Sequence, residues 1–435
     1  MSRVPELARG ARRAARPLAA LDAETRSALL VSLADALDDK ANRARLFEAN
    51  RLDMADAEAA QTRGELAPAL VKRLALTTQK LASLSDGLRT LAKQPEYLNR
   101  RDLHRELDEG LVLERRSTPL GVLGIVFEAR PDAVPQITGL ALKSGNAVLL
   151  KGGSEALRTN RALVELIHDV MREHGLDPAA VALLEDRAEF GALLEEHEQV
   201  DLIIARGSTA FVKMVMGKTK IPVMGHAEGL CHVYLHADAD PSMSAAVTVD
   251  AKCSYPAACN AMETLLWHRD ATRAAESSLR ALLAAGVEIR ADHATRERFA
   301  ELALNPANEQ DWDTEYTDKI ISVRCVSGLD EALAHIEAHG SKHTEAIITA
   351  DESSAERFLA EVDAAGVYWN ASTRFADGYR YGHGAEVGIS TGKLHARGPV
   401  GVEGLLSYRY VLRGQGQISA DYSAEGKAFT HKDLD

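Results

Sequence analysis

The stretch Cys253-Ser-Tyr-Pro-Ala-Ala-Cys259-Asn-Ala-Met-Glu-Thr264 holds the residues best suited to covalent chemistry. A proline-and-alanine turn delivers Cys259, and the apolar run Leu265-Leu266-Trp267 follows at once. This pattern predicts a loop entering a strand, which would hold a nucleophile still at the edge of a cleft. A thiol is the strongest side-chain nucleophile near neutral pH wherever its surroundings favour the thiolate. A small buried thiol with no chemistry is the alternative for any single cysteine. Cys231, Cys253 and Cys325 complete a set of four, too few in so long a chain for a disulfide framework. None shows C-x-x-C or Cys/His ligand spacing, and the strand-like Val233-Tyr234-Leu235 separates His232 from His236, so no metal site is expected.

Two further places could meet an anion. Lys151-Gly152-Gly153-Ser154 and Arg206-Gly207-Ser208-Thr209 each follow an apolar run. Glycine lets a phosphate approach the backbone, and a helix starting there presents free N–H groups to it. A glycine that only makes the turn is the alternative at both. No G-x-G-x-x-G is present. Lys213, Lys218 and Lys220 lie close together, as a solvated face or as one wall of an anion site.

The elements that must position these residues are legible as periodicities. Asp22 is a cap before Leu29, Leu30, Leu33 and Leu37, and Leu74, Leu81, Leu84, Leu88 and Leu91 mark a second amphipathic helix ending near Pro95. From Leu103 to Arg116 a turn at Asp108-Glu109-Gly110 predicts a hairpin. Gly121 to Ala205 then alternates apolar strands with helices, and a second alternation runs from Cys259 to about Asn370. Alternation of this kind implies doubly wound parallel sheets, with ligands beyond the carboxyl ends of the strands. Gly404 to Leu412 reads as a late strand, and the polar end of the chain as frayed.

Composition narrows the class. A chain of 435 residues with 46% hydrophobic and 26% charged residues suggests a globular protein of at least two domains. A net charge of −13 disfavours a nucleic-acid partner. No apolar run approaches the roughly 20 residues of a membrane span. Met1 to Arg16 lacks the apolar core of a secretory signal but has the Arg/Ala content of a transit peptide, so a cytoplasmic location is expected with that alternative open.

In its Pro-x-x-Cys-Asn-x-x-Glu-Thr form, the Cys259 segment resembles the aldehyde dehydrogenase superfamily and, within it, the γ-glutamyl phosphate reductase family. Val367-Tyr-Trp-Asn-Ala-Ser-Thr-Arg-Phe375, Gly384-Ala-Glu-Val-Gly-Ile-Ser-Thr391 and Leu394-His-Ala-Arg-Gly-Pro399 continue the resemblance. Arg206-Gly207-Ser208-Thr209 and Tyr379-Arg380-Tyr381 depart from it. The resemblance implies two doubly wound α/β domains plus an oligomerisation hairpin. Residues 1–98 and 119–236 would bind the nicotinamide cofactor, 237–398 would carry the nucleophile, 99–118 and 399–420 would oligomerise, and 421–435 would be a tail. It implies reduction of γ-glutamyl 5-phosphate to glutamate 5-semialdehyde by NADPH, in proline biosynthesis, through a Cys259 thioester and without a metal. An NAD-dependent semialdehyde dehydrogenase running in the oxidising direction is the alternative.

Roles for individual residues follow from the same resemblance. Cys259, Asn260 and Arg130 would be catalytic, with Arg130 serving the oxyanion or the leaving phosphate unless it forms a structural ion pair. Lys151, Gly152, Gly153, Ser154, Gly207, Ser208 and Glu315 would hold the cofactor, Glu315 at the nicotinamide ribose. Ser372, Thr373 and Arg374 would meet the substrate, Arg374 its carboxylate. The strand Ile221 to Glu228 has His226, or on another alignment Glu228, where hydrolytic relatives keep a water-activating glutamate. Implied partners are the small-molecule substrate, the glutamate kinase that supplies it, and further copies of the chain in a homodimer or homotetramer.

Overall fold

In a computed structural model, Ser2 to Leu434 are described except Ala129, Ser208, His226, Ala227 and residues 423–425. The N-terminal segment forms a helix, Val4–Ala19, whose small face (Ala8, Ala11, Ala15) and flanking Val4 and Leu18 are buried in the first core. The Asp22 carboxylate accepts the Thr25 N–H at 2.7 Å and starts the helix Ala23–Asp38, which buries its four expected leucines. It packs against Thr78–Ala92, which buries Leu81, Leu84, Leu88 and Leu91. Leu74 is not on that stripe. It ends a separate short helix, Pro68–Leu74, because the Thr77 hydroxyl caps a new start by accepting the Lys80 N–H.

The hairpin strands are β1 (Arg101–Asp108) and β2 (Leu111–Pro119), and Gly110 takes the left-handed φ of 68° that their turn requires. The chain then builds β3 (Val122–Phe127), β4 (Ala147–Lys151), β5 (Val181–Leu184), β6 (Leu202–Arg206) and β7 (Val223–Met224). These form a parallel sheet in the order β5-β4-β3-β6-β7, and Phe127 pairs with Arg206 where the winding reverses between β3 and β6.

The second sheet comprises β8 (Cys231–Leu235), β9 (Met262–His268), β10 (Glu288–Ala291), β11 (Asn305–Pro306), β12 (Ile320–Val326), β13 (Thr344–Ile348) and β14 (Gly366–Trp369). It is also parallel, in the order β11-β10-β12-β9-β8-β13-β14, with apolar clusters on its two faces. The expected boundary at residue 236 is therefore corrected. β8 pairs with β9 and β13, so the second half begins before Cys231. At the other end Val387, Val400, Val402 and Leu405 pack into the first core, so not all of 237–398 belongs to the second half.

After a short pair, β15 (Ile389–Ser390) and β16 (Gly398–Pro399), the late strand β17 (Leu406–Arg413) pairs antiparallel with β2. The expectation of a frayed tail is wrong. Lys432–Asp433 form β18 on the far side of β1, and the sheet order is β17-β2-β1-β18. Arg105 meets Asp433 at 2.6 Å, Tyr422 stacks on Phe429 at 4.4 Å between centroids, and the Thr430 N–H reaches Leu107 O at 2.8 Å. The open edge of β1 offers backbone groups that even a polar segment can satisfy, which composition does not reveal.

Candidate active site

Cys259 stands ahead of β9, after the helix Pro241–Cys253. The base of its loop is closed by a buried ion pair, Lys252 Nζ to Glu263 Oε2 at 2.7 Å. The Thr373 hydroxyl donates to Asn260 O at 2.7 Å, and the Asn260 amide donates to Ala376 O at 2.8 Å. Cys231 directs its S–H at Cys259 O, 3.4 Å away. Gly229 lies so close that a Cβ there would stand 2.6 Å from Cys259 Cα, so only glycine fits. The Cys259 loop is thus fixed from several sides, with the thiol half-buried.

Burial pushes the Cys259 thiol up to about 12, the charges of Glu386 and Glu315 push the same way, and Arg374 opposes them. Burial also raises both carboxyl groups, Glu315 against the pull of the Gly229 N–H and Glu386 against that of the Gly378 N–H. The resting chain therefore holds a thiol. Arg374, carried on the turn Thr373–Phe375, is half-buried, donates to Ser254 Oγ at 3.1 Å and stands 6.0 Å from the Tyr255 ring. Among the described residues no carboxylate lies within ion-pair distance of Arg374.

Two charged groups outside the expected set of site residues interact electrostatically with the same thiol. Arg206 closes β6, and its guanidinium feels the charges of Arg130, Glu386, Asp132 and Cys259. Glu386 accepts the Gly378 N–H at 2.8 Å. A charged residue ending an otherwise apolar strand was the signal for Arg206, and the Gly-x-Gly-Ala-Glu pattern was the signal for Glu386. Arg130 is more open, its side chain 48% exposed and 3.9 Å from Asp132.

Several expected contacts are corrected by burial. Thr373 is fully buried and its hydroxyl is spent on Asn260 O, so it supports the Cys259 loop and offers no free hydroxyl to a ligand. Ser372 Oγ accepts the Arg374 N–H at 3.2 Å and shapes the turn beneath that arginine. Asn260 is buried with its amide on a main-chain carbonyl, which makes it a support as well. Lys213 is neither a bare face nor a free anion wall, because it pairs with Glu228 at 2.8 Å. His226 and Ser208 lie outside the described residues.

The remaining cofactor candidates gather at the carboxyl edge of the first sheet. Lys151 ends β4 and its ammonium donates to Gly152 O, with burial lowering its pKa. A Cβ on Gly152 would collide with the Asn160 amide, and one on Gly153 with the Glu155 carboxylate. Ser154 opens the turn Ser154–Ala156, which leads into the helix Leu157–Glu173. Gly207 follows β6, where a Cβ would press to 2.8 Å from Phe211. Asn160 is buried with its Oδ1 unpartnered, an orphan acceptor beside the glycine cradle. A cradle of this kind fits a nucleotide brought close to the backbone.

Two parallel doubly wound sheets, with the Cys259 loop ahead of β9 and a separate antiparallel ribbon β17-β2-β1-β18, match the aldehyde dehydrogenase architecture. A family model described as the aldehyde dehydrogenase family matches residues 2–298. The chain is 52% identical over 431 residues to a γ-glutamyl phosphate reductase of Cyanothece sp., covering 99% of this chain and 98% of the relative. It is 52% identical over 429 residues to one from Prochlorococcus marinus, covering 98% and 96%. The crystal structure of γ-glutamyl phosphate reductase from Thermotoga maritima superimposes with a TM-score of 0.91 at 35% identity, covering 96% of this chain and 100% of that one. The chain belongs to the aldehyde dehydrogenase family, in its γ-glutamyl phosphate reductase branch.

Proposed function

We propose that the chain reduces γ-glutamyl 5-phosphate to glutamate 5-semialdehyde and phosphate with NADPH, the second step of proline biosynthesis from glutamate. One observation carries this reading: the half-buried Cys259 thiol shares its cleft with Arg374, a guanidinium without a carboxylate partner among the described residues. A substrate with a carboxylate at one end and an activated acyl carbon at the other suits that pair, since the guanidinium fork matches a carboxylate bidentately.

Cys259 as thiolate attacks the γ-acyl carbon, the bond to the phosphate oxygen breaks, and a thioester remains on Sγ. The Cys259 N–H, without a backbone acceptor among the described residues, is the donor for the intermediate oxyanion. Protonation of Glu386 and Glu315, which burial favours, removes the two charges that oppose the thiolate. A nicotinamide held in this cleft would supply the hydride, and as the aldehyde forms the carbon–Sγ bond breaks and Cys259 is regenerated. Lys151, Gly152, Gly153, Ser154 and Gly207 would hold the nucleotide at the sheet edge, and Glu315 its nicotinamide ribose. The Lys151 ammonium favours a 2′-phosphate and so NADPH, while Glu155 over Gly153 opposes it. Equal kcat/KM for NADPH and NADH would refute the preference.

The deciding assay runs the reaction backwards: NADP reduction by glutamate semialdehyde with and without phosphate. Strict phosphate dependence is expected, and phosphate-independent oxidation to the acid would establish the semialdehyde dehydrogenase instead. We also propose a cytoplasmic homodimer or homotetramer. No described helix is long and apolar enough to cross a membrane. β17 is an edge strand with Tyr408, Tyr410 and Leu412 exposed, a surface that proteins normally cover. A fully active monomer at micromolar concentration in light scattering would overturn the assembly.

A further inference from the structure

Arg206 is the group in the cleft that the mechanism above leaves unused. It ends β6 opposite Phe127, at the point where the first sheet reverses its winding. Crevices at such reversals are where open α/β sheets take anionic ligands. The side chain is half-buried, and its stem packs against Gly388, where a Cβ would sit 3.8 Å from Arg206 Cγ. Among the described residues no carboxylate comes within ion-pair distance of it.

A guanidinium drawn out of water without a paired anion is costly, and folds tolerate it where a ligand completes the pair. The surroundings deepen that deficit. Burial pushes Arg206 down to about 10, and the neighbouring positive charge of Arg130 acts in the same direction. Glu386 attracts it but forms no ion pair with it among the described residues, its carboxylate instead accepting the Gly378 N–H at 2.8 Å. Arg130 is more exposed and has Asp132 at 3.9 Å, which makes it the lesser of the two cations.

We propose that Arg206, assisted by Arg130, is the phosphate subsite, binding the phosphoryl group of the acyl phosphate and the phosphate released from it, while Arg374 holds the far end of the substrate. This rests on the reaction proposed above and assigns a residue to its leaving group. In the step itself the Cys259 Sγ–carbon bond forms as the bond from carbon to the phosphate oxygen breaks. The electron pair of the broken bond leaves with phosphate, and the proton lost by the thiol ends on it as hydrogen phosphate. No oxidant or reductant enters. Two guanidiniums suit a dianion in charge, and the planar fork of Arg206 suits two of its oxygens.

The test uses the full chain and inorganic phosphate. In the reverse reaction Arg206→Gln should raise KM for phosphate at least about tenfold while KM for the semialdehyde stays within about twofold, and Arg206→Lys should fall between. Without turnover, phosphate should slow iodoacetamide alkylation of Cys259 in the unaltered chain, against chloride at matched ionic strength, and should not do so in Arg206→Gln. A phosphate KM within twofold of the unaltered chain, or phosphate and semialdehyde KM values rising together, would overturn the assignment. If Arg206→Gln fails to fold, Arg206→Lys decides: a phosphate KM raised more than about twofold with the semialdehyde KM unchanged supports the assignment, and any smaller rise overturns it. If the unaltered chain shows no phosphate-dependent turnover, the proposed reaction fails, and the protection experiment still decides whether Arg206 binds phosphate.

Discussion

The two halves of the molecule are both parallel doubly wound sheets, yet they place their chemistry at opposite ends. In the first half Lys151 and Arg206 are the last residues of β4 and β6, at the carboxyl edge. In the second half Cys259 comes before β9, at the amino edge. Their interiors differ as well. The second half buries two acid–base pairs, Lys252 with Glu263 and His232 with Glu345, the latter at 2.9 Å. The fully buried lysine of the first half, Lys143, donates to Ala92 O and the Ser27 hydroxyl and has no ion-pair partner among the described residues. Helix starts and glycine turns can receive a phosphate, and the buried charges of that half, Arg26 with Glu96 at 3.1 Å and Asp53 with Arg158 at 3.2 Å, tie its helices together instead. A nucleophile must be held at one atom, and the second half fixes its loop with paired charges and hydrogen bonds.

The largest break in this comparison is at the thiol itself. Cys259→Ala should lower turnover by about three orders of magnitude or more, as loss of a covalent nucleophile does, while nucleotide binding by the first half persists. Cys231→Ala and Cys253→Ala should affect little beyond packing. Steady-state rates with a nucleotide titration check this, and a tenth of the normal rate in Cys259→Ala would end the covalent mechanism. Next in size is the clamp. Lys252→Met leaves Glu263 buried and unpaired, an expected loss of about 3–5 kcal/mol in a denaturant melt, whereas replacing both partners with apolar residues should restore most of it. The matching change in the first half, Lys143→Met, removes the contacts to Ala92 O and the Ser27 hydroxyl and a longer-range attraction to Glu96, breaks no ion pair among the described residues, and should cost about 1 kcal/mol. Equal losses at the two lysines would erase the contrast between the halves.

The smallest effect concerns pH. A thiol raised by burial and by two carboxylates ionises only at high pH, so alkylation of free Cys259 should climb through pH 7–10 without a plateau. Glu386→Gln removes one opposing charge, lowers the thiol pKa and should speed alkylation at pH 8 by up to about tenfold, one pKa unit being one decade of thiolate. An unchanged rate profile would mean that Glu386 does not act on the thiol.

Legibility in the sequence followed the range of the interaction. Cys259, its loop and β9 lie next to one another in the chain, so a turn and an apolar run were enough to find them. The cap at Asp22 and the leucine stripe of Ala23–Asp38 were visible for the same reason. β8 was assigned to the wrong half because an isolated apolar run does not say which sheet it enters, and the tail was missed because its partner, the edge of β1, is distant in sequence. Thr373 looked like a substrate contact from its place in a motif. Only the buried hydrogen bond to Asn260 O shows that it supports the loop.

By itself the sequence determined the class of fold, through alternating strands and helices of short period, and singled out Cys259 as the candidate nucleophile, through a motif that resembles the aldehyde dehydrogenase family. The tertiary structure decided which charges surround that nucleophile. Arg206, Glu386, Glu315 and Arg374 come from four separate segments and from both halves, and their effect on Cys259 depends on how close they come and how far water is excluded. The physical reason is that Coulomb energy and desolvation depend on distance and burial in space, and neither is a function of spacing along the chain.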